Sequence, residues 1–263
     1  MISDRIDLEN WRESDILTDD LWLFPSRESG GKHKNIYHGN FIPQIPYQLI
    51  SRYTRKNEVV LDAFFGSGTT LFECEKLGRK FIGLDINSQM FDYVNLQMKG
   101  SKKDFFTLNL CDNTDEKSKI CIKNSLEFLG EKSVSLAIFH PPYHDIVKFT
   151  DDKNDLSNCG SIDEFLDKFK KSLANSLEFL AKNRYFAIVI GDIYKNSEVV
   201  PLSFLCMNMV KSNFKTKLKG IIVKNIEGNR RKLGVGGIWR YRALKSDYYI
   251  FKHEYILVFK KEF

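Results

Sequence analysis

Residues 59–70, VVLDAFFGSGTT, limit what this chain can fold into more than any other stretch. The β-branched, apolar run NEVVLDAFF (57–65) reads as a buried strand. GSGTT breaks it, and TLFECEKLG (70–78) takes up helical spacing that closes on Gly78. Gly66 and Gly68 therefore stand in a strand-to-helix turn, where they permit positive φ and close approach of a ligand to the backbone. The start of the helix presents free N–H groups at the same place.

The pattern then repeats. KFIGLDI (80–86) is a second strand, and NSQMFDYVNLQM (87–98) is a helix capped by Asn87 or Ser88. KICIKNS (119–125) and VSLAIF (134–139) read as the third and fourth strands, with 101–117 ambiguous. SIDE (161–164) is a capping box for a helix reaching about Ala181. YFAIVIGD (185–192) is a fifth strand, LSFLCMNMVKS (202–212) a helix, and LKGIIVKN (218–225) and EYILVFKK (254–261) the last two strands. No helical signature separates those two, so they are expected to pair antiparallel. Strands alternating with helices predict an α/β, Rossmann-like architecture. Its sheet is expected to be seven-stranded and mostly parallel, with the last strand antiparallel and helices on both faces. At 263 residues and 43% apolar, the chain can fill one large core. We divide it into an N-terminal extension, 1–35, and a single domain, 36–263, with a basic insert at 226–252.

Asp62 closes the first strand, and Asp85 closes the second, about 20 residues on. In such sheets that spacing puts a carboxylate on ribose hydroxyls. A dinucleotide fingerprint needs a third glycine where Leu71 stands, and a phosphate-binding loop needs a Gly-Lys-Ser/Thr that is absent. What is left is an adenosine cofactor without a pyrophosphate, such as S-adenosyl-L-methionine.

DAFFGSGTT, then GLDIN, then HPPY at 140–143 resemble, in that order, the S-adenosylmethionine-dependent amino methyltransferases of DNA, which methylate cytosine N4 or adenine N6. The resemblance spans roughly 36–263 and implies that this stretch is a methyltransferase catalytic domain with the class I methyltransferase form of the α/β fold. It implies cofactor contacts from Asp62, Phe64, Gly66, Gly68 and Thr69, and from Asp85 and Ile86. YHGNFIPQIP (37–46) resembles the family's additional cofactor motif, bringing Phe41, Ile42 and Pro43 to the methionine end. Asn124 stands where the family often has a residue against the cofactor's adenine, with Asp112 as the competing candidate.

The resemblance makes His140, Pro141, Pro142 and Tyr143 the catalytic tetrad. An exocyclic amine is a poor nucleophile because its lone pair is delocalised into the ring. Two acceptors aimed at its hydrogens relieve this, here the first tetrad side chain and the Pro141 carbonyl. The prolines fix an extended backbone, and Tyr143 stacks on a base flipped out of the duplex. No Pro-Cys pair is present to attack a cytosine ring, which argues against C5 methylation. His140 departs from the common Asp, Asn or Ser. A neutral imidazole has one acceptor nitrogen, so kcat is expected to fall as pH drops through a pKa near about 6.5. The other role open to His140 is that of a strand cap. An uncharged leading residue is more like Ser than Asp, which tilts the target toward cytosine N4. The alternatives are adenine N6, guanine N2 of RNA, and a non-catalytic protein that binds cofactor and nucleic acid.

Charge points the same way. Residues 201–263 hold 14 Lys/Arg and 4 Asp/Glu, a balance of +10, against −4 on the rest of a chain whose total is +6. The insert interleaves Arg230, Arg231, Lys232, Arg240 and Arg242 with Trp239 and several tyrosines, a composition suited to phosphates and bases. We read it as a DNA-contacting loop that orders on binding. Double-stranded DNA is the expected partner, with a cognate restriction endonuclease as a further partner the resemblance allows. No apolar run is long enough to span a membrane, the first residues lack a signal-peptide pattern, and five widely spaced cysteines suggest neither metal nor disulfides. The expected location is the cytoplasm.

Overall fold

The computed structural model describes residues 2–34, 36, 39–226 and 236–262. The chain runs β1 (Leu21–Trp22), α1 (Gln44–Tyr53), β2 (Val59–Asp62), α2 (Thr69–Leu77), β3 (Lys80–Asp85), α3 (Ser88–Gln97), β4 (Phe106–Leu110), α4 (Lys117–Phe128) and β5 (Val134–Phe139). There follow α5 (Ile162–Leu177), β6 (Leu180–Ile190), the short pair β7 (Ile193–Lys195) and β8 (Glu198–Val200), α6 (Leu202–Asn213), β9 (Thr216–Asn225), α7 (Gly236–Lys245) and β10 (His253–Lys261).

The main sheet has eight strands in the order β1-β9-β10-β6-β5-β2-β3-β4. Parallel pairing joins β6, β5, β2, β3 and β4, and β10 runs antiparallel to both β6 and β9. This is the expected α/β sheet, widened by the two-residue β1. All six residues of β5 are buried, because they feed two cores. Val134, Ala137 and Phe139 pack with Phe165, Phe169 and Leu173 of α5. Leu136 and Ile138 pack on the other face with Ile45 and Leu49 of α1 and Leu71 of α2.

Two elements differ from the sequence reading. Residues 119–125 are not a strand but the middle of α4, whose buried positions Ser118, Ile122, Ser125 and Leu126 recur at helical spacing. The third strand is instead β4, in the stretch that read as ambiguous. The insert also carries a helix, α7, where a loop was expected. Its sequence holds good helix formers, but its apolar residues are not buried: Ile238, Tyr241 and Leu244 are 51%, 64% and 76% exposed.

Residues 2–34 are tied to the sheet and to α1. Trp22 is buried in the core, and β1 pairs with β9. Gln48 of α1 accepts from Leu17 N and donates to Asp15 O, and Arg79 grips Asp4 at 2.5 Å. Parallel pairing puts the ends of β2, β3, β4 and β5 on one edge of the sheet. The reversed direction of β10 brings its beginning, and the end of β9, to that same edge.

Candidate active site

That edge opens into a cleft of about 720 Å³. At one end lies the glycine turn. Asp62, 2% exposed, holds it from below: Oδ1 accepts from Phe64 N at 3.0 Å and Oδ2 from Thr70 Oγ1 at 2.5 Å. Asp85 holds it from the side, accepting from Gly66 N and from Asn87 N, each at 2.8 Å. Burial raises both carboxyls, Asp62 to about 7 with the Asp85 charge adding to the effect, and Asp85 to about 6. Gly68 caps α2 at φ 85°, and a Cβ there would stand 3.0 Å from Phe72 Cζ and 3.1 Å from Val94. This glycine serves close helix packing as well as the turn. Asp112 and Asn113, just beyond β4, complete this end, and Asn113 Nδ2 donates to the Ala63 carbonyl.

A third wall comes from residues 39–42. Phe41 and Ile42 line the cleft, while Pro43 sits at the N-cap of α1. Arg27 fixes this segment by donating to Phe41 O at 2.9 Å and Asn40 O at 3.3 Å, and Asn40 Nδ2 reaches Ser67 Oγ at 3.1 Å.

At the far end, β5 stops and His140-Pro141-Pro142-Tyr143 turns along the cleft wall. The His140 ring is half-buried, 4.7 Å from the Phe41 ring between centroids, and its Nε2 is 3.3 Å from Tyr143 Oη. Tyr143 Oη donates to Glu254 Oε2 at 2.7 Å, and Lys224 Nζ donates to Glu254 Oε1 at 3.0 Å. Lys224 and Glu254 are 5% and 7% exposed and face each other across the β9–β10 register. Burial pushes His140 down to about 4, with Lys224 helping and Glu254 opposing. Burial and the Glu254 charge push the Tyr143 hydroxyl well up. Burial alone would raise the Glu254 carboxyl, but Lys224, His140 and Tyr143 hold it below its usual value.

The cleft thus gathers Phe41, Ile42, Asp62, Phe64, Gly66, Thr69, Asp85, Ile86 and all four residues of 140–143. Asn124 is a correction: as a residue of α4 rather than of a strand end, it is exposed and lines a separate groove with Asn95 and Phe106. Asp112 and Asn113 occupy the place assigned to it. Arg240 and Arg242 are exposed on α7. Arg230, Arg231, Lys232 and the side chain of Trp239 lie outside the described residues. Arg27, Lys224 and Glu254 were not singled out in the sequence. A charged residue interrupting each of the apolar runs IIVKN and HEYILVF was the available sign of the last two.

The lining near the turn suits S-adenosylmethionine. It carries the carboxyl groups of Asp62, Asp85 and Asp112 and no Lys or Arg within the turn, an acceptor set that repels a pyrophosphate and accepts from sugar hydroxyls beside a cationic sulfonium.

Comparison with known proteins agrees with this geometry. Residues 3–96 match the model of the N6_N4_Mtase family, described as DNA methylase. Over 88 residues the chain is 34% identical to the type II methyltransferase M.MjaII of Methanocaldococcus jannaschii, covering 32% of this chain and 16% of that protein. It is 38% identical, also over 88 residues, to the type II methyltransferase M1.MboII of Moraxella bovis, covering 30% and 32%. The chain therefore matches between about a sixth and a third of the length of these relatives. The crystal structure of TrmN from Thermus thermophilus superposes with a TM-score of 0.53 at 14% identity, over 85% of this chain and 50% of that one. The fold of TrmN thus extends over 85% of the chain, and its first third, with the glycine turn and Asp85, is similar to the DNA methylase family model and to the type II methyltransferases.

Proposed function

We propose that this protein transfers a methyl group from S-adenosylmethionine to the exocyclic amino group of a base flipped from double-stranded DNA, with cytosine N4 the favoured target. One observation carries the reading: a single cleft runs from the Asp62–Asp85 turn to the His140–Tyr143 segment, so a cofactor and a base amine can lie side by side in it. The volume, about 720 Å³, is in the range of pockets that enclose such ligands.

When bound, S-adenosylmethionine supplies an electrophilic methyl on a positively charged sulfur. Asp85 and Asp62 fix the turn and leave lone pairs for sugar hydroxyls, while Phe41 and Ile42, pinned by Arg27, wall the opposite side. His140 is neutral above a pH of about 4, so it accepts an amine hydrogen at the pH of a cell. The Pro141 carbonyl is the second acceptor. The two draw electron density onto the amine nitrogen, and Tyr143 presents its ring to the base. Neutral His140 matches a Ser-like leading residue, which supports cytosine over adenine.

The exposed cations of α7, with Arg230, Arg231 and Lys232 beside them in sequence, supply the phosphate contacts. Residues 36–263 are the catalytic unit, braced by 1–35. The relatives' type II designation makes a cognate restriction endonuclease the partner to seek. The cytoplasm, where the free cysteines stay reduced, is the proposed location.

The test is incubation with labelled cofactor and a mixture of DNA and RNA, then mass spectrometry of the nucleosides. N4-methylcytosine supports the proposal, N6-methyladenine changes the target base, and label in RNA guanine or in no nucleoside overturns it.

A further inference from the structure

We propose that Lys224, Glu254 and Tyr143 form a buried hydrogen-bonded chain that sets the tautomer of His140, placing its proton on Nε2 and leaving the Nδ1 lone pair as the acceptor for the substrate amine. Lys224 and Glu254 are positioning residues in this scheme, since they act through Tyr143. The inference rests on the methyl-transfer reading for its purpose, but not for its geometry.

The direction of each bond is fixed by donor count. Lys224 has only protons to give, and Glu254 Oε1 receives one at 3.0 Å. The single hydroxyl proton of Tyr143 goes to Glu254 Oε2 at 2.7 Å. Tyr143 oxygen then has only lone pairs for His140, so His140 Nε2, 3.3 Å away, must carry the hydrogen. A neutral imidazole has one N–H, so Nδ1 is an acceptor. Among the described residues no group hydrogen-bonds to His140 Nδ1, and the ring lines the cleft. Phe41 on one side and Tyr143 on the other hold the ring, with centroids at 4.7 and 5.7 Å. Gly191 seats Tyr143 in turn, since a Cβ there would come within 2.9 Å of its ring.

The charges give the chain its polarity. Glu254 must be ionised to be a pure acceptor, and in a buried site that requires Lys224 on its other oxygen. An uncharged amide at 254 can donate to Tyr143, whose proton then turns toward His140 Nε2. The imidazole proton moves to Nδ1, and the site offers a donor where the amine needs an acceptor. A buried ion pair is weak evidence for stability by itself, and here it has a directional role. The ionisable groups facing His140 are Tyr143 on its own loop, Lys224 on β9 and Glu254 on β10; Phe41, on the segment before α1, is apolar.

The experiment uses the full chain labelled with 15N-histidine, the His140 signals being assigned by their loss in His140→Asn. The expected wild-type spectrum shows the Nε2–H form at neutral pH. Glu254→Gln should shift the population toward Nδ1–H and lower kcat by about tenfold or more, with cofactor affinity unchanged. Lys224→Met should move the change of tautomer to higher pH, while Lys224→Arg should keep wild-type behaviour. If Glu254→Gln does not fold, Tyr143→Phe read by the same spectrum should lose the Nε2–H preference. A wild-type ring protonated on Nδ1, or a tautomer indifferent to Glu254→Gln or Tyr143→Phe, overturns the proposal. Because the tautomer is read without turnover, the expected spectra with no methylated base would reject the function proposed above and leave this chain standing.

Discussion

Gly191→Ala tests the seat of Tyr143 directly. Residue 191 follows β6, and its backbone is not in the left-handed region, so alanine acts there through its methyl alone. That methyl would lie 2.9 Å from Tyr143 Cε2 and 3.4 Å from Cδ2. Carbon atoms rest at about 3.5–4.0 Å, so the ring must retreat by roughly 0.5–1 Å. The retreat stretches the 2.7 Å bond to Glu254 toward or past the ordinary O–H···O limit of about 3.0 Å. Overpacking of this kind costs about 1–3 kcal/mol, and a chain of this length loses about 2–4 °C of Tm per kcal/mol. A displacement near 1 Å at the reacting centre lowers turnover by up to about 10²-fold. Gly191 does not line the cofactor end of the cleft, so affinity for S-adenosylmethionine should be unchanged. Steady-state methylation of DNA, calorimetric titration with cofactor and a thermal melt measure the three quantities. Wild-type kcat beside a lowered Tm would refute the claim that the position of the Tyr143 ring matters to catalysis.

Four further outcomes follow from the same geometry. The acid limb of kcat should have its midpoint near pH 4 rather than near about 6.5, because burial lowers His140 to about 4; a limb near the ordinary histidine value would refute that lowering, and a flat acid limb in folded protein would remove His140 as acceptor. The carboxyls of Asp62 and Asp85 are raised to about 7 and about 6, so their contribution to apo stability is present at low pH and lost as pH rises through those values. His140, whose value is lowered, works oppositely between about 4 and its usual value, so the carboxyl effect is isolated by urea unfolding of Asp62→Asn, which should lose less stability than wild type between pH 5 and pH 8. Gly68→Ala imposes a left-handed conformation on alanine and a contact of 3.0 Å with Phe72, together about 2–4 kcal/mol in urea unfolding. Arg240→Ala with Arg242→Ala should weaken DNA binding and reduce the salt slope by up to about 0.9 for each phosphate no longer neutralised, while cofactor titration stays as in wild type.

The parts of the fold legible in the sequence are those buried on both faces. VVLD, KFIGLD and VSLAIF are continuous apolar runs because each side of the strand meets a helix layer. The edge strand β4 was not legible. FTLNL carries a polar residue at every other position, and most of the strand is only partly buried. With the third strand so faint, KICIKNS took its place, since a short helix segment with Ile at 120 and 122 imitates strand alternation. Burial separates the two, for Ile120 is 60% exposed and Ile122 is fully buried. The early end of α5 at Leu177 was hidden for a different reason: no glycine or proline separates it from β6 at Leu180.

The candidate site divides along a related line. The turn at 62–70 and the segment 140–143 are contiguous, and contiguous chemistry is written in the order of the letters. The wall that holds Tyr143 joins residues 111 and 30 positions apart, and no local pattern spells that out. It was nonetheless within reach of a topological argument. Once the last two strands are read as an antiparallel pair closing a parallel sheet, the end of one and the start of the other must lie at the carboxyl edge, beside the segment after the fourth parallel strand. Lys224 and Glu254 are charged residues at those two ends of otherwise apolar runs. Burying either alone would cost several kcal/mol, so strand pairing at that register requires that they meet. The hydroxyl of Tyr143 is then the polar group of the adjoining segment that can satisfy the free oxygen of Glu254. Sheet direction and the penalty for an unpaired charge thus lead to Lys224, Glu254 and Tyr143, three residues that the hydrogen bonds connect.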